Sequence, residues 1–149
     1  MNNDKQKLLL CLNEILSNYF VLYVKFHRYK WFLFGEHAIL YESFFERTIL
    51  TWHERIEMIA SHILSLDGKP FATMRKYVKK ATIIEASADD EEEEVFHQLY
   101  TDMTMICEEI EEKALQLAKN IEDERTIHLL CTLLNDLYRY RWRFTTYSE

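Results

Sequence analysis

The sequence predicts an all-α protein, a bundle of four long helices with a short helix in the long connection between its halves. Only two Gly and one Pro occur in 149 residues, so few positions break a helix. Apolar residues recur every three or four positions along four stretches, the spacing of a helix with one buried face. At this length we expect a single domain, residues 1–149, with a core of its own.

Four apolar stretches set the predicted helices. The first covers residues 4–33 and ends near Gly35; the second covers 36–66 and stops where Gly68 and Pro70 follow. Residues 71–87 form a connection too long for a tight hairpin, with apolar residues at short-helix spacing. The third helix runs from about 87 to 120, with Ser87 as the expected N-cap, and the fourth from 122 to 146. Two hairpins joined by one long crossover result.

Charge and composition exclude several functions. Eighteen basic against twenty-five acidic residues give a net charge of −7, which disfavours nucleic-acid binding and suits a protein that handles cations. Charged residues interrupt every apolar stretch before about 18 residues, so we expect no membrane span, and the N-terminus lacks a signal-peptide pattern. We expect a cytoplasmic protein, with Cys11, Cys107 and Cys131 as buried free thiols.

A metal site inside the bundle is the first hypothesis to test against the spacing. Such a site needs two Glu-x-x-His motifs on facing helices. Only Glu94 and His97 have that spacing, and they lie in the first turn of the third helix with no second motif opposite. We interpret them as an acid at a helix start beside a surface histidine.

A second pattern spans the first two helices. Lys30 and Trp31 are followed by Gly35, then by Glu42 and Glu46 four residues apart; the sequence then reads Glu57, Ser61, His62 and ends the helix at Gly68, Lys69 and Pro70. This layout resembles the signatures of the Dps family, ferritin-like mini-ferritins that form twelve-subunit shells. The resemblance implies a ferritin-like four-helix bundle and assembly into at least a homodimer, with a homododecamer as the closed form.

The resemblance also implies where metal would bind. The family's five ligand positions, usually His, His, an acid, Asp and Glu, read Lys30, Glu42, Glu46, Glu57 and Ser61 here. In the family the first three come from one subunit and the last two from its mate. Glu42, Glu46 and Glu57 are therefore the candidate metal ligands, and Lys30 and Ser61 are substitutions. Either Lys30 neutralises the carboxylates, which is the arrangement we favour, or a metal ion does so with Lys30 displaced.

Two functions follow from this resemblance. The first is iron binding, iron storage and protection from oxidative stress, with iron as the bound metal, no haem, and Fe(II) oxidation at the subunit interface if the site is active. The alternative is a non-enzymatic cage or scaffold in which a Lys–Glu cluster replaces the metal site. The family's three-fold pores correspond to Glu124 and His128. Among nearby histidines we expect His27, His37 and His53 to be surface or hydrogen-bonding residues, and His62 is the best substitute ligand.

Overall fold

The computed structural model describes residues 2–33, 35, 37–85 and 92–147. Its elements are α1 (Asn2–Phe32), α2 (Ala38–Ser65), α3 (Met74–Lys80), α4 (Glu92–Glu109), a π-helical turn (Ile110–Ala114), α5 (Leu115–Asn120) and α6 (Glu124–Tyr147). The part of the chain described here contains no strand. Because α4, the π-helical turn and α5 run on without a break, the chain forms four long helices with α3 in the crossover, as the sequence predicts.

The predicted stripes of α1 and α2 form one side of the core. Every apolar position predicted to face inward on α1 is buried, and on α2 all but Leu66 are. At the centre the ring of Trp52 stacks on Tyr19 with 4.6 Å between ring centroids and meets Phe26 edge-on. By length and composition α1 could also cross a membrane, contrary to the sequence-based exclusion, but 56% of its most apolar window is buried. This burial is typical of a core helix in a soluble protein.

The turns after α1 and α2 use their glycines differently. Gly35 adopts φ +103, the left-handed conformation expected where the first helix ends. After α2 the left-handed residue is Asp67, with φ 63. Gly68 contributes small size instead, because a Cβ there would lie 2.7 Å from Leu9 Cδ2 and the Leu9 side chain would have to shift. This close approach packs the turn directly onto α1.

The third long helix contains a π-helical turn that the sequence did not predict. Val95, Leu99, Met103, Ile106, Ile110 and Ala114 are buried as expected, but beyond the turn the fully buried residue is Ala118 and not Leu117. A π-helical turn inserts one residue into an α-helix and shifts every later side chain around the axis. The predicted N-cap Ser87 lies outside the described residues.

Two buried asparagines on α1 fasten the crossover to the bundle. Asn13 donates to the carbonyl of Lys69 and accepts from the amide of Phe71, before α3. Asn18 accepts from the amides of Thr82 and Ile83 after α3 and donates to Thr82 Oγ1 and Glu109. These bonds satisfy backbone groups that no regular element pairs, and they fix both ends of the crossover.

The cysteine prediction was correct for one of three residues. All three are free thiols; Cys107 is buried, Cys11 is half-buried and Cys131 is exposed. Cys131 follows Leu130 on α6, and the helical turn places it outside the face that Leu130, Leu133 and Leu137 bury.

Candidate metal centre

The three candidate carboxylates lie on the exposed surface of α2. Glu42 and Glu46 are one helical turn apart, and Glu57 and Ser61 form a second such pair nearer the C-terminal end of the helix. All four side chains are exposed. Their helix is held in place from behind by the buried residues Phe45, Trp52 and Ile56, so the spacing of the carboxylates is fixed by the core.

Lys30 reaches this surface from the last turn of α1. Its Nζ lies 3.5 Å from Oε1 of Glu46, with 21% of the lysine side chain and 62% of the glutamate side chain exposed. An ion pair this exposed contributes at most about 1 kcal/mol, because water screens both charges. The contact therefore places a cation at Glu46 without locking it there. No such contact joins Lys30 to Glu42 or Glu57 in the described part of the chain.

One chain alone does not complete a metal site. Among the described residues no three His, Cys, Asp or Glu side chains lie close enough together to hold a metal ion. The carboxylate oxygens of Glu42, Glu46 and Glu57 are hard donors of the type that suits iron, but they are spread along α2. The oxygen donors suit iron in their chemistry, but the described part of one chain does not bring three of them together.

The histidines near this surface differ in their availability. The Nδ1 of His27 lies 2.8 Å from the Tyr23 carbonyl, so His27 is a hydrogen-bonding residue, as expected. His37 and His53 are both exposed, also as expected. The Nε2 of His62, the preferred substitute ligand, lies 2.7 Å from the hydroxyl of Thr126 on α6. Because Thr126 donates that hydroxyl to Asp123, it must accept from His62 Nε2–H.

The pKa values of His62 and Asp123, at the two ends of this hydrogen-bond chain, are both lowered. Burial lowers the pKa of His62 below its ordinary 6.5, against the opposing charge of Asp123. Partial burial acts to raise the pKa of Asp123, but the hydrogen bonds from Thr126 and the charges of His62 and Arg125 outweigh it, so this pKa is lowered. Asp123 also accepts from the Thr126 amide and so caps the start of α6. His62 therefore links α2 to the start of α6.

The two candidate pore residues lie beside that link. Glu124 and His128 are exposed, one turn apart at the start of α6. They line a cavity of about 460 Å³ together with Met58 and His62 from α2. The sequence-predicted pair Glu94 and His97, by contrast, is exposed on α4, which confirms the interpretation of a surface acid and a surface histidine.

Sequence reasoning missed two buried ion pairs inside the bundle. Lys25 Nζ lies 2.7 Å from Asp102 Oδ2 between α1 and α4, and Asp136 on α6 accepts from Arg55 on α2. Nothing in the helical stripes marks these residues, although Lys25 directly precedes the buried Phe26. In both pairs the negative charge of an aspartate inside the bundle is neutralised by a basic side chain.

Known proteins agree with this architecture over nearly the whole chain. A family model described as a ferritin-like domain matches residues 10–149. General stress protein 20U of Bacillus subtilis is 29% identical over 142 residues, covering 95% of this chain and 97% of the relative. DNA protection during starvation protein 2 of Bacillus anthracis is 30% identical over 131 residues, covering 88% of this chain and 89% of the relative.

A solved structure extends the agreement to three dimensions. The crystal structure of a Dps protein from Bacillus brevis superposes with a TM-score of 0.95 at 26% identity, over 99% of this chain and 98% of that one. With the four-helix fold, the helical crossover and the carboxylates of α2 in place, the chain belongs to the ferritin-like Dps family.

Proposed function

We propose that this protein is a Dps-type subunit that associates with copies of itself, takes up iron and protects the cell under stress. The observation that carries the proposal is the exposed row of Glu42, Glu46 and Glu57 on α2, in a fold that agrees with Dps proteins end to end. The described part of one chain does not gather these carboxylates around a single point, so they are suited to a metal site shared between two subunits. We further propose a cytoplasmic location.

In this proposal Glu42 and Glu46 of one subunit face Glu57 of its mate. Negative charges this close repel one another and favour a cation between them. Fe(II) is the substrate that the carboxylates would bind and orient, and their hard oxygen donors suit the oxidised ion better still. Ser61 adds a weak donor at most.

Lys30 supports a second candidate, a non-enzymatic cage or scaffold. Its ammonium already lies 3.5 Å from Glu46, where it competes with Fe(II) for the same carboxylate. In this alternative the lysine and the glutamates form an ion-pair cluster between subunits, and the protein assembles without oxidising iron.

Fe(II) oxidation by the purified full-length protein separates the two candidates. The protein is first freed of metal with a chelator, then given Fe(II) with peroxide or with oxygen, and its bound iron is measured afterwards. Fast oxidation that saturates with Fe(II) and leaves iron on the protein supports the first candidate. A rate equal to that of buffer, with no retained iron, supports the scaffold.

Protection by DNA binding is a separate question, raised by the name of the Bacillus anthracis relative. A net charge of −7 opposes binding to a polyanion. DNA phosphates would have to be contacted by a local basic patch, such as Arg75, Lys76, Lys79 and Lys80 on α3. We expect no shift of plasmid DNA in a gel at neutral pH and low magnesium; a salt-sensitive shift would contradict this.

A further inference from the structure

A small cavity between α2 and α6 is surrounded by positive charge. Its volume is about 220 Å³, smaller than the roughly 300 Å³ at which pockets for drug-sized ligands begin. Two helices supply its walls, and three of its six lining side chains are arginines: Phe44, Arg47, Thr48, Arg139, Tyr140 and Arg143. A concentration of cations of this kind is unexpected in a chain with a net charge of −7.

Helix geometry brings the three arginines to the same cavity. Arg139 and Arg143 are four residues apart on α6 and therefore lie on the same face of that helix. Arg47 reaches the cavity from α2, three residues after Phe44. The rings of Phe44 and Tyr140, with centroids 6.3 Å apart, form the apolar floor between the helices. The floor is held by the core and does not depend on the arginines.

Too few carboxylates are present to neutralise these arginines. Arg139 lies 3.2 Å from Asp136, but Asp136 is buried and also accepts from Arg55. Arg47 and Arg143 have no ion pair or hydrogen bond within the described ranges. The neighbouring Glu46 is engaged with Lys30. The cavity therefore carries an excess of fixed positive charge.

We propose that this cavity binds a small tetrahedral oxyanion, of which inorganic phosphate is the natural example. Guanidinium forks donate paired hydrogen bonds to phosphate oxygens, and three of them can serve different oxygens at once. The apolar floor limits water on one side and strengthens these contacts. The size of the cavity selects a free anion over a nucleotide. Phosphate binding in this cavity depends on the arginines and does not require iron to bind at Glu42, Glu46 or Glu57.

Calorimetric titration of inorganic phosphate into the full-length, metal-free protein tests the proposal. Ionic strength is held constant with chloride, so that general screening does not change. The parent should bind phosphate saturably, and Arg143→Gln and Arg47→Gln should each weaken binding by about ten-fold or more. Arg143→Lys keeps the charge but loses the forked guanidinium group, so its affinity for phosphate should lie between those of the parent and Arg143→Gln. Arg125→Gln, an exposed arginine on α6 outside the cavity lining, is the matched control and should bind as the parent does.

Three results would each overturn the assignment. They are parent heats equal to those of chloride alone, parent-like phosphate binding by both glutamine variants, and binding of ribose 5-phosphate as tight as that of free phosphate. Because Arg47 and Arg143 are exposed and unpaired in the described structure, both variants should fold; circular dichroism and light scattering verify this. If either glutamine variant assembles differently, Arg143→Lys carries the test.

Discussion

Lys30 and Glu46 hold opposite charges 3.5 Å apart, at positions where the resemblance to the Dps family implies metal ligands. Their exposure means that the pair contributes little to stability, so its importance lies in the chemistry of the surface. A fixed ammonium lowers the affinity of the neighbouring carboxylates for Fe(II), because both cations compete for the same oxygens. We therefore expect this one side chain, Lys30, to distinguish the proposed iron site from the proposed ion-pair cluster.

Restoring two family ligands should increase iron oxidation. The variant Lys30→His with Ser61→Glu removes the competing cation and adds an imidazole and a carboxylate. We expect it to oxidise Fe(II) measurably faster than the parent under the same oxidant, followed by the absorbance of ferric iron. Ser61→Glu alone is the control, since it adds a ligand but keeps Lys30. Equal rates in the parent and the double variant would mean that Lys30 does not obstruct the site.

The ion pair of Lys25 with Asp102 differs from that of Lys30 with Glu46, because it is buried and water is excluded from it. Only 4% and 10% of the two side chains are exposed. Burial raises the pKa of Asp102, while the charge and hydrogen bond of Lys25 act to lower it. We expect Lys25→Ala to lower the free energy of unfolding by about 3 kcal/mol, since it leaves a buried charge alone.

Replacing both partners should recover that loss. Lys25→Met with Asp102→Leu removes both charges and fills the space with apolar groups, which is often neutral or stabilising. Denaturant unfolding of the parent, Lys25→Ala and the double variant measures the comparison at one protein concentration. A double variant as unstable as Lys25→Ala would show that the pair itself stabilises the bundle.

At the scale of the element, the π-helical turn Ile110–Ala114 sets which side chains of the third long helix are buried after it. Downstream of it the buried position is Ala118, one residue later than regular helical spacing from Ile106 and Ile110 requires. Glu111 within the turn accepts from the Tyr138 hydroxyl on α6, so the turn also contacts the neighbouring helix. The inserted residue makes it possible to test the turn by deletion.

Deleting Glu112 should convert the π-helical turn into α-helix and leave the packing of α5 intact. Glu112 is exposed, and its removal returns the buried positions to spacings of three and four. Deleting Thr101, exposed in regular α-helix, should be far more destabilising, because it rotates buried neighbours such as Asp102 and Met103 out of place. Thermal unfolding followed by circular dichroism compares the two; similar melting temperatures would contradict the assignment.

The link from His62 to Thr126 and Asp123 should make stability depend on pH. Burial lowers the folded-state pKa of His62 below 6.5, so the unfolded chain takes up its proton at a higher pH than the folded protein does. Stability is therefore complete above pH 6.5 and falls as the pH drops through that value. Asp123, whose pKa is lowered, adds a loss in the same direction below its ordinary value of 3.8.

The variant His62→Asn should remove the loss near pH 6 and keep the one at lower pH. Unfolding free energies from denaturant titration at several pH values would measure both slopes. His53→Asn, an exposed histidine on the same helix, is the control and should behave like the parent. A parent whose stability does not change between pH 7 and 5 would exclude His62 as the titrating group.

The whole molecule exposes more apolar surface than one bundle requires. Trp31, Phe32, Met74 and Val78 are each at least half exposed and line a cavity of about 350 Å³ between α1 and α3. Ile39 and Leu40 at the start of α2 are exposed as well. Further along α2, by contrast, the bundle buries Tyr41, Phe44 and Phe45. An apolar patch of this kind marks an interface.

Charge on this patch should weaken self-association. We expect the parent to be larger than a monomer at micromolar concentration, and Phe32→Glu with Met74→Glu to shift it to smaller species, because carboxylates resist burial between apolar surfaces. Light scattering gives the masses, and circular dichroism verifies that each subunit remains folded. A monomeric parent would refute both the patch assignment and the proposed shell.

The sequence alone determined the helices and their buried faces. The stripes of α1, α2 and α4 are regular because each helix must cover one face of the same core, and a period of 3.6 residues is visible in one dimension. The left-handed Gly35 and the helical crossover followed from the same local rules. The resemblance around Trp31, Glu42, Glu46 and Glu57 depended on intervals along the chain, and it pointed to the family that the comparisons establish.

Only the tertiary structure decided which polar groups meet. Three sets of contacts join residues that are far apart along the chain. They are the ion pair of Lys25 with Asp102, the hydrogen bonds of Asn18, and the cavity shared by Arg47, Arg139 and Arg143. Their spacing carries no signal, because such contacts depend on how the helices cross. The π-helical turn was hidden for a related reason: apolar residues at both Leu117 and Ala118 suit either register, and packing against the neighbouring helices selects one.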